Sequence, residues 1–242
     1  MSTGREGLAA GVLALGYGLA GALYWALLNV PESNALALVL SASLVLLIVA
    51  AAAAATAGAV MIANGATRDT WRHMGAAIGG FVLGLAIFAA LWWSTDRADT
   101  WWADHRGEVD ALFLRYGGMT RTAWLHQTVS WVTFLARWAL GLSVVTGLVV
   151  AGARGGGHTL RRGIRGSVRL VSLAATLVGV VIVSEGLWRL ALWRPTRLPP
   201  TWMEPAFVTV KLAVLYALTV AVAAVVLGVH RRAAAEPPRL PR

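Results

Sequence analysis

The chain has 242 residues, of which 58% are hydrophobic and only 13% charged, and its formal net charge is +10. A water-soluble globular domain carries about 25% charged residues, so the composition excludes an ordinary soluble domain. The sequence contains no cysteine, which excludes disulfides, thiolate metal sites and thiol catalysis. Together these properties indicate a membrane protein.

Six apolar stretches are each long enough to cross about 30 Å of hydrocarbon. We place them at residues 7–30, 34–63, 74–93, 128–151, 168–193 and 206–229. They predict an all-α, polytopic membrane protein built as a bundle of six transmembrane helices. The first stretch has a weak charged region and no small-x-small cleavage site after it, which favours an uncleaved span over a signal peptide.

The arginines predict the orientation of the bundle. Twelve fall on the side that would hold both termini: Arg5, Arg68, Arg72, Arg154, Arg161, Arg162, Arg165, Arg169, Arg231, Arg232, Arg239 and Arg242. Positive residues accumulate on the cytoplasmic side. We therefore expect a multi-pass protein of the cell inner membrane with both termini cytoplasmic and facing anionic lipid, and we do not expect nucleic-acid binding.

The positions of the tryptophans support the same membrane topology, because indole rings prefer the level of the lipid headgroups. Ten tryptophans would lie at or near the outer boundary: Trp25, Trp92, Trp93, Trp101, Trp102, Trp124, Trp131, Trp188, Trp193 and Trp202. This excess on one side indicates that the outer surface also contacts another molecule.

The outer segment 94–127 is the largest piece predicted outside the membrane. Its apolar residues recur at helical spacing: Trp102, His105, Val109, Leu112, Phe113 and Tyr116. The spacing predicts an amphipathic helix in the outer interface, or alternatively a helix that only caps the bundle. At the other end of the chain, residues 233–242 are predicted to be a disordered basic tail.

Small residues four apart predict where helices approach each other closely. The pairs are Gly7 and Gly11, Gly75 and Gly79, and Gly80 and Gly84. Such faces promote helix association in lipid but indicate no particular function.

Four charged side chains interrupt the last three spans: Arg137, Glu185, Arg189 and Lys211. A charge in hydrocarbon costs at least about 2.5 kcal/mol, so each should be paired, hydrated or functional. Helical rise places Arg137 about 14 Å and Glu185 about 12 Å below the outer boundary. We expect a substrate-binding pocket open to the outside, in which Arg137, Arg189 and Lys211 surround Glu185, the only acid at that depth. In the alternative, Glu185 and Arg189 form an i,i+4 pair, while Lys211 and Arg189 reach upward toward water.

A second set of residues could bind a metal ion. His105, His126, Met119 and Met203 belong to the outer loops or their edges. Imidazole and thioether groups are suitable copper ligands, although their spacing here matches no dense metal motif. No cofactor is otherwise predicted, since His73, His158 and His230 fall in the cytoplasmic loops, where they would not ligate a buried haem.

No catalytic motif is present. The sequence lacks H-E-x-x-H, G-x-S-x-G and the P-loop, and no second acid could pair with Glu185 in the membrane. An enzymatic function is therefore not expected.

The C-terminal half, from His126 to Arg232, resembles the CopD-type copper-resistance membrane domain. The matching features are His126 at the start of a span, the basic loop Arg161-Arg162-Gly-Ile-Arg165, Ser184-Glu185-Gly186, Val210-Lys211-Leu212, and His230-Arg231-Arg232. The chain departs from the family after the histidine, where it has Trp131-Val-Thr-Phe. The resemblance implies a helical bundle that assists copper movement across the inner membrane, with His126 and Lys211 as positions of interest.

Two functions follow as hypotheses. The chain either binds or transports a small solute or metal ion from the outer face, or it is a non-catalytic accessory subunit of a larger membrane complex.

Overall fold

The computed structural model describes residues 3–31, 34–65, 67, 70–117, 122–155, 159–193 and 203–235. Within them lie nine α-helices, a 3₁₀ turn at Thr70–His73 and a π-helical segment at Leu135–Leu140, with no strand. The helices are α1 (Thr3–Leu28), α2 (Ala35–Ala63), α3 (Met74–Asp104), α4 (Arg106–Gly117), α5 (Ala123–Phe134), α6 (Gly141–Arg154), α7 (Thr159–Ser167), α8 (Leu170–Leu192) and α9 (Met203–Ala235).

The predicted fold class is confirmed. Six helical stretches are long and apolar enough to cross a membrane: Gly4–Leu28, Ala35–Ala63, Trp71–Asp104, Ala123–Arg154, Leu170–Leu190 and Pro205–Ala235. Large aliphatic side chains cover the outside, and Leu15 and Leu170 are 80% and 82% exposed. Such a surface is stable only against lipid or another apolar partner. The chain is an all-α, multi-pass membrane protein.

The third and fourth spans are longer than predicted. The third was expected to end at residue 93, but α3 continues to Asp104. The fourth begins at Ala123 and runs through α5, the π-helical segment and α6 without interruption. Because a helix rises about 1.5 Å per residue, the extra part of α3 adds about 16 Å and brings residues predicted in the outer loop alongside the fourth span.

The predicted outer helix is present but divided. Trp102 belongs to the end of α3, His105 lies at the break, and α4 runs from Arg106 to Gly117. We call the end of the bundle formed by the last turns of α3, α4 and the start of α5 the aromatic end. The opposite end, where α1 begins and α9 ends, is the basic end. Helix α9 continues to Ala235, three residues into the predicted tail, and residues 236–242 lie outside the described part.

Helix α6 lies at the centre of the bundle, and most of its residues from Gly141 to Ala153 are buried. The glycines of α3 explain its close approach: a Cβ at Gly80 would lie 2.5 Å from the Leu148 carbonyl oxygen, and one at Gly84 would lie 2.6 Å from the Val145 Cα. The other predicted pairs, Gly7 with Gly11 and Gly75 with Gly79, have open space beside them. Only the Gly80–Gly84 pair of these three therefore packs against another helix in the described chain.

Candidate functional site

A cavity of about 470 Å³ opens at the aromatic end, between α3, the start of α4, α5 and the π-helical segment. Its volume is in the range of sites that bind small molecules. It is lined by Asp99, Trp102, Ala103, Arg106, His126, Val129, Ser130, Thr133, Phe134, Arg137 and Trp138. The lining therefore combines three charged side chains, one histidine and several apolar and aromatic ones.

One face of α3 forms the wall beside Arg137. Trp92, Thr95, Asp99 and Trp102 follow one another at steps of three, four and three residues. Residues at this spacing lie on the same side of a helix. Because α3 stays helical to Asp104, these four residues form a continuous stripe that faces α5 and the π-helical segment of the fourth span.

Arg137 is held across the helix interface by this stripe. Its Nε donates to the Thr95 hydroxyl at 3.0 Å, and its Nη2 donates to the Asp99 carboxylate at 2.9 Å. The guanidinium also lies 4.6 Å from the centroid of the Trp92 ring. Only 17% of the Arg137 side chain is exposed, against 40% for Asp99. The intramembrane charge is thus neutralised, hydrogen-bonded and stacked, which lowers the cost of burying it.

The π-helical segment, Leu135–Leu140, places Arg137 on the cavity wall. A π-helical turn is wider than an α-helical one and changes the direction in which its side chains point. Short π-helical insertions in longer helices are frequent at functional sites. The π-helical backbone and the cavity therefore both indicate that Arg137 belongs to a functional site.

His126 is fixed by hydrogen bonds at both ring nitrogens. The Trp102 indole Nε1 donates to His126 Nδ1 at 3.0 Å, and His126 Nε2 lies 2.8 Å from the Asp110 carboxylate. An indole N–H can only donate, so Nδ1 carries no proton and Nε2–H is the donor to Asp110. The buried ring is therefore a neutral imidazole of defined tautomer.

Asp110 remains ionised beside this neutral ring. Hydrogen bonds from the Thr122 hydroxyl and then from His126 hold the pKa of Asp110 below its usual value of 3.8. Both bonds favour the carboxylate, which accepts them, over the protonated acid. Asp110 in turn orients His126, and His126 orients Trp102 toward the cavity.

The proposed metal ligands are not gathered into one site in the described chain. Both nitrogens of His126 already have partners, and His105 hydrogen-bonds the Trp101 carbonyl through Nδ1 at 2.8 Å while stacking on the Trp101 ring. Met203 is exposed at the start of α9, and Met119 lies outside the described residues. Among the residues described, no three His, Asp or Glu side chains form a metal-binding group. A copper ion at His126 would have to displace Trp102 or Asp110.

The other three intramembrane charges lie on α8 and α9. Arg189 Nε donates to Glu185 at 2.7 Å, and both side chains are largely exposed, by 78% and 53%. Lys211 donates to the Trp193 carbonyl and its Nζ lies 4.7 Å from the Phe207 ring centroid. The acid in contact with Arg137 is Asp99 and not Glu185. The four charges therefore divide into an interhelical group at Arg137 and a group on the surface of α8 and α9.

A separate buried histidine stabilises the basic end. His230 was expected in a loop, but it lies within α9 and is 2% exposed. The Thr176 hydroxyl donates to the Ser172 carbonyl, so its oxygen can accept from His230 Nε2 at 3.1 Å. This bond joins α9 to α8 and takes no part in the cavity.

Sequence reasoning identified Arg137 and His126 but missed Thr95, Asp99, Trp102 and Arg106 as members of one site. The spacing of residues 92, 95, 99 and 102 was the available signal. Comparisons with protein-family models, with curated proteins and with solved structures found no match to this chain.

Proposed function

We propose that this membrane protein binds a small organic anion in the cavity at the aromatic end. The observation that supports this most strongly is the placement of Arg137: a charged side chain within a membrane span, anchored to Asp99 and Thr95, on the wall of a cavity of ligand size. Ionisable residues inside membrane spans usually mark substrate pathways when they face a cavity.

The charges around the cavity favour an anion. Two guanidinium groups, Arg106 and Arg137, line it with one carboxylate, Asp99, while His126 is neutral. Guanidinium groups bind carboxylates and phosphates with paired, directional hydrogen bonds. Among the lining side chains two cations outnumber one acid, and the ionised Asp110 lies behind His126. The exposed Arg106 guanidinium is therefore the group that can receive the carboxylate of a solute.

The remaining lining favours an apolar body on that anion. Trp102, Phe134 and Trp138 contribute aromatic surface, and Val129 adds an aliphatic side chain. Burial of apolar solute surface contributes about 25 cal/mol per Å². Benzoate should therefore bind more tightly than acetate, and benzylamine should bind more weakly than benzoate.

Tryptophan fluorescence tests this proposal, because two tryptophans line the cavity. The purified protein is titrated with acetate, benzoate and benzylamine, and the Arg106→Gln variant is compared with Arg115→Gln, an exposed arginine of α4 that does not line the cavity. Loss of a charge-assisted hydrogen bond should weaken benzoate binding about tenfold in Arg106→Gln and leave it unchanged in Arg115→Gln. Equal responses to benzoate and benzylamine would rule out an anion site.

We propose further that the cavity faces away from the cytoplasm, as the distribution of arginine supports. The cysteine-free chain allows a direct test with Arg165→Cys, since Arg165 is exposed in α7 at the basic end. Membrane-impermeant thiol reagents should label this variant only after the cells are opened. Labelling of intact cells would reverse the orientation.

A second candidate function is that of an accessory subunit in a membrane complex. The observation that favours it is the open space beside Gly7, Gly11, Gly75 and Gly79, because small-residue faces allow another helix to approach closely. Purification in mild detergent tests it: a partner in fixed stoichiometry, lost on Gly75→Leu and Gly79→Leu substitution, would support this function. A monodisperse single chain would contradict it.

A further inference from the structure

A second cavity lies at the opposite end of the bundle, between α1 and α9. It has a volume of about 280 Å³ and is floored by small and aliphatic side chains, among them Ala9, Leu13 and Leu227. The small residues Ala224 and Gly228 of α9 leave this space open. The lining of α9 spans residues 224–232, which corresponds to a groove about 12 Å long.

The groove is closed toward the middle of the bundle and charged at the basic end. The Tyr216 hydroxyl donates to the Ala14 carbonyl and joins α9 to α1 beyond the groove. At the basic end the lining residues are Glu6, Arg231 and Arg232. The groove is apolar along its length and charged at its mouth. A phospholipid has the same arrangement, because its acyl chain is apolar and its headgroup is charged.

Hydrogen bonds hold one arginine of the charged mouth in a fixed position. Arg231 Nε donates to the Asn64 side chain at 2.9 Å, and its Nη2 donates to the Ala63 carbonyl. These two bonds fix the guanidinium at the end of α2 and leave its Nη1 for another acceptor. Arg5 reaches the same place, where it lies against Gly65.

The surrounding charge favours an anionic headgroup. Arg232 adds a second exposed guanidinium to the mouth, and Glu6 offsets one positive charge there. Glu6 is the only acid that the described residues place at this end of the bundle, against nine arginines: Arg5, Arg72, Arg154, Arg161, Arg162, Arg165, Arg169, Arg231 and Arg232.

We propose that the groove between α1 and α9 is a binding site for one phospholipid with an anionic headgroup. An acyl chain lies along Ala10, Ala224 and Val225, above the buried floor of the groove, and the phosphate accepts hydrogen bonds from Arg231 and Arg232. The proposal goes beyond the solute site, which is at the other end of the molecule. The lipid also joins α1 to α9, in addition to the Tyr216 bond.

Native mass spectrometry of the purified protein tests the site. The protein is exchanged into mixed micelles that contain equal amounts of phosphatidylglycerol and phosphatidylcholine, and the bound lipids are counted. The wild-type chain should retain one phosphatidylglycerol in preference to phosphatidylcholine. Arg232→Gln should weaken this preference about fivefold, because one basic side chain near an anionic lipid contributes about 1 kcal/mol.

A matched pair of glycine variants tests the apolar part. Gly228→Leu fills the groove, whereas Gly21→Leu places the same side chain in open space on α1, outside the groove. Gly228→Leu should lose the bound lipid and Gly21→Leu should keep it. Retention by both variants would overturn the acyl groove.

Two further outcomes would overturn the proposal. Equal retention of the two lipids would show that the headgroup charge is not recognised. Displacement of phosphatidylglycerol by soluble glycerol phosphate at equal concentration would show that the arginines bind a free phosphate and that the groove contributes nothing. If Gly228→Leu does not fold, the Arg232→Gln result decides, because that exposed side chain lies outside the core.

Discussion

Two arginine–carboxylate pairs lie in the membrane-spanning helices as far as the structure describes them, and they differ in what they connect. Arg137 and Asp99 join two different spans, with the arginine side chain only 17% exposed. Arg189 and Glu185 are four residues apart on one helix, and their side chains are 78% and 53% exposed. The same chemical pair thus fixes the position of one helix against another in the first case, and only neutralises a surface in the second.

The difference shows why burial and connectivity matter more than the presence of an ion pair. An i,i+4 pair exposed to water contributes at most about 0.5 kcal/mol. One that faces lipid neutralises the charges on its own helix but fixes no second helix against it. Removing one partner of a buried, hydrogen-bonded pair leaves the other charge without compensation and costs several times more. Arg137 also contacts Thr95 and Trp92, so its position is determined by three groups on α3.

The largest effect is expected at the interhelical pair. Asp99→Asn should lower the free energy of unfolding by about 2 kcal/mol, because the Arg137 guanidinium loses its charge-assisted acceptor. Arg137→Gln should cost a similar amount, and the double variant should cost much less than the sum of the two. Reversible unfolding in mixed micelles measures all three. Additive effects of Asp99→Asn and Arg137→Gln would show that the two side chains do not interact.

A smaller effect is expected at the histidine that orients the cavity wall. Trp102→Phe keeps the aromatic ring but removes the N–H that donates to His126 Nδ1. It should cost about 1 kcal/mol of stability and also weaken benzoate binding, since the ring loses its fixed orientation. Trp101→Phe is the matched control, because Trp101 stacks on His105 outside the cavity lining. Equal losses of stability and of benzoate binding in the two variants would show that the Trp102–His126 hydrogen bond has no particular role in the site.

The pH dependence of stability provides a third effect. The pKa of Asp110 is lower in the folded chain than its usual 3.8, so its contribution to stability is present above that value. It is lost as the pH falls through the folded pKa. Asp110→Asn should therefore flatten the decline of the melting temperature below about pH 4. Glu108→Gln, an exposed acid on the same helix, should keep the wild-type profile.

The smallest effect is expected at the surface pair. Glu185→Gln should leave benzoate binding unchanged, because Glu185 does not line the cavity and a glutamine at this position can still accept a hydrogen bond from Arg189. The benzoate titration described for Arg106→Gln measures this effect. Loss of benzoate binding in Glu185→Gln would show that Glu185 belongs to the solute site, as the sequence alone predicts.

Hydropathy was sufficient to predict the class of fold, because each apolar stretch can satisfy its backbone in lipid only as a helix. It could not predict where α3 ends. Residues from Ser94 to Asp104 are polar enough to be assigned to a loop, yet α3 continues through them, and Thr95, Asp99 and Trp102 face the fourth span.

The composition of the site was therefore only partly predictable. Arg137 stood out because its charge in a span needed a partner, but Asp99 was counted outside the membrane, which left Glu185 as the apparent partner. His126 is recognisable from the sequence by its imidazole, whereas no sequence pattern indicates that Trp102 and Asp110 occupy both of its nitrogens. Such pairings depend on the angle between helices, which hydropathy does not specify.

Protection of engineered cysteines tests most directly whether the cavity beside Arg137 is the solute site. Ser130 lines the cavity, and Ser184 is exposed beside Glu185 on α8. Ser130→Cys and Ser184→Cys are introduced separately into the cysteine-free chain, and their modification by a water-soluble thiol reagent is timed with and without benzoate. Benzoate should slow the reaction of the Ser130→Cys variant and leave that of Ser184→Cys unchanged. Protection of Ser184→Cys alone would contradict the assignment and place the solute at the surface pair.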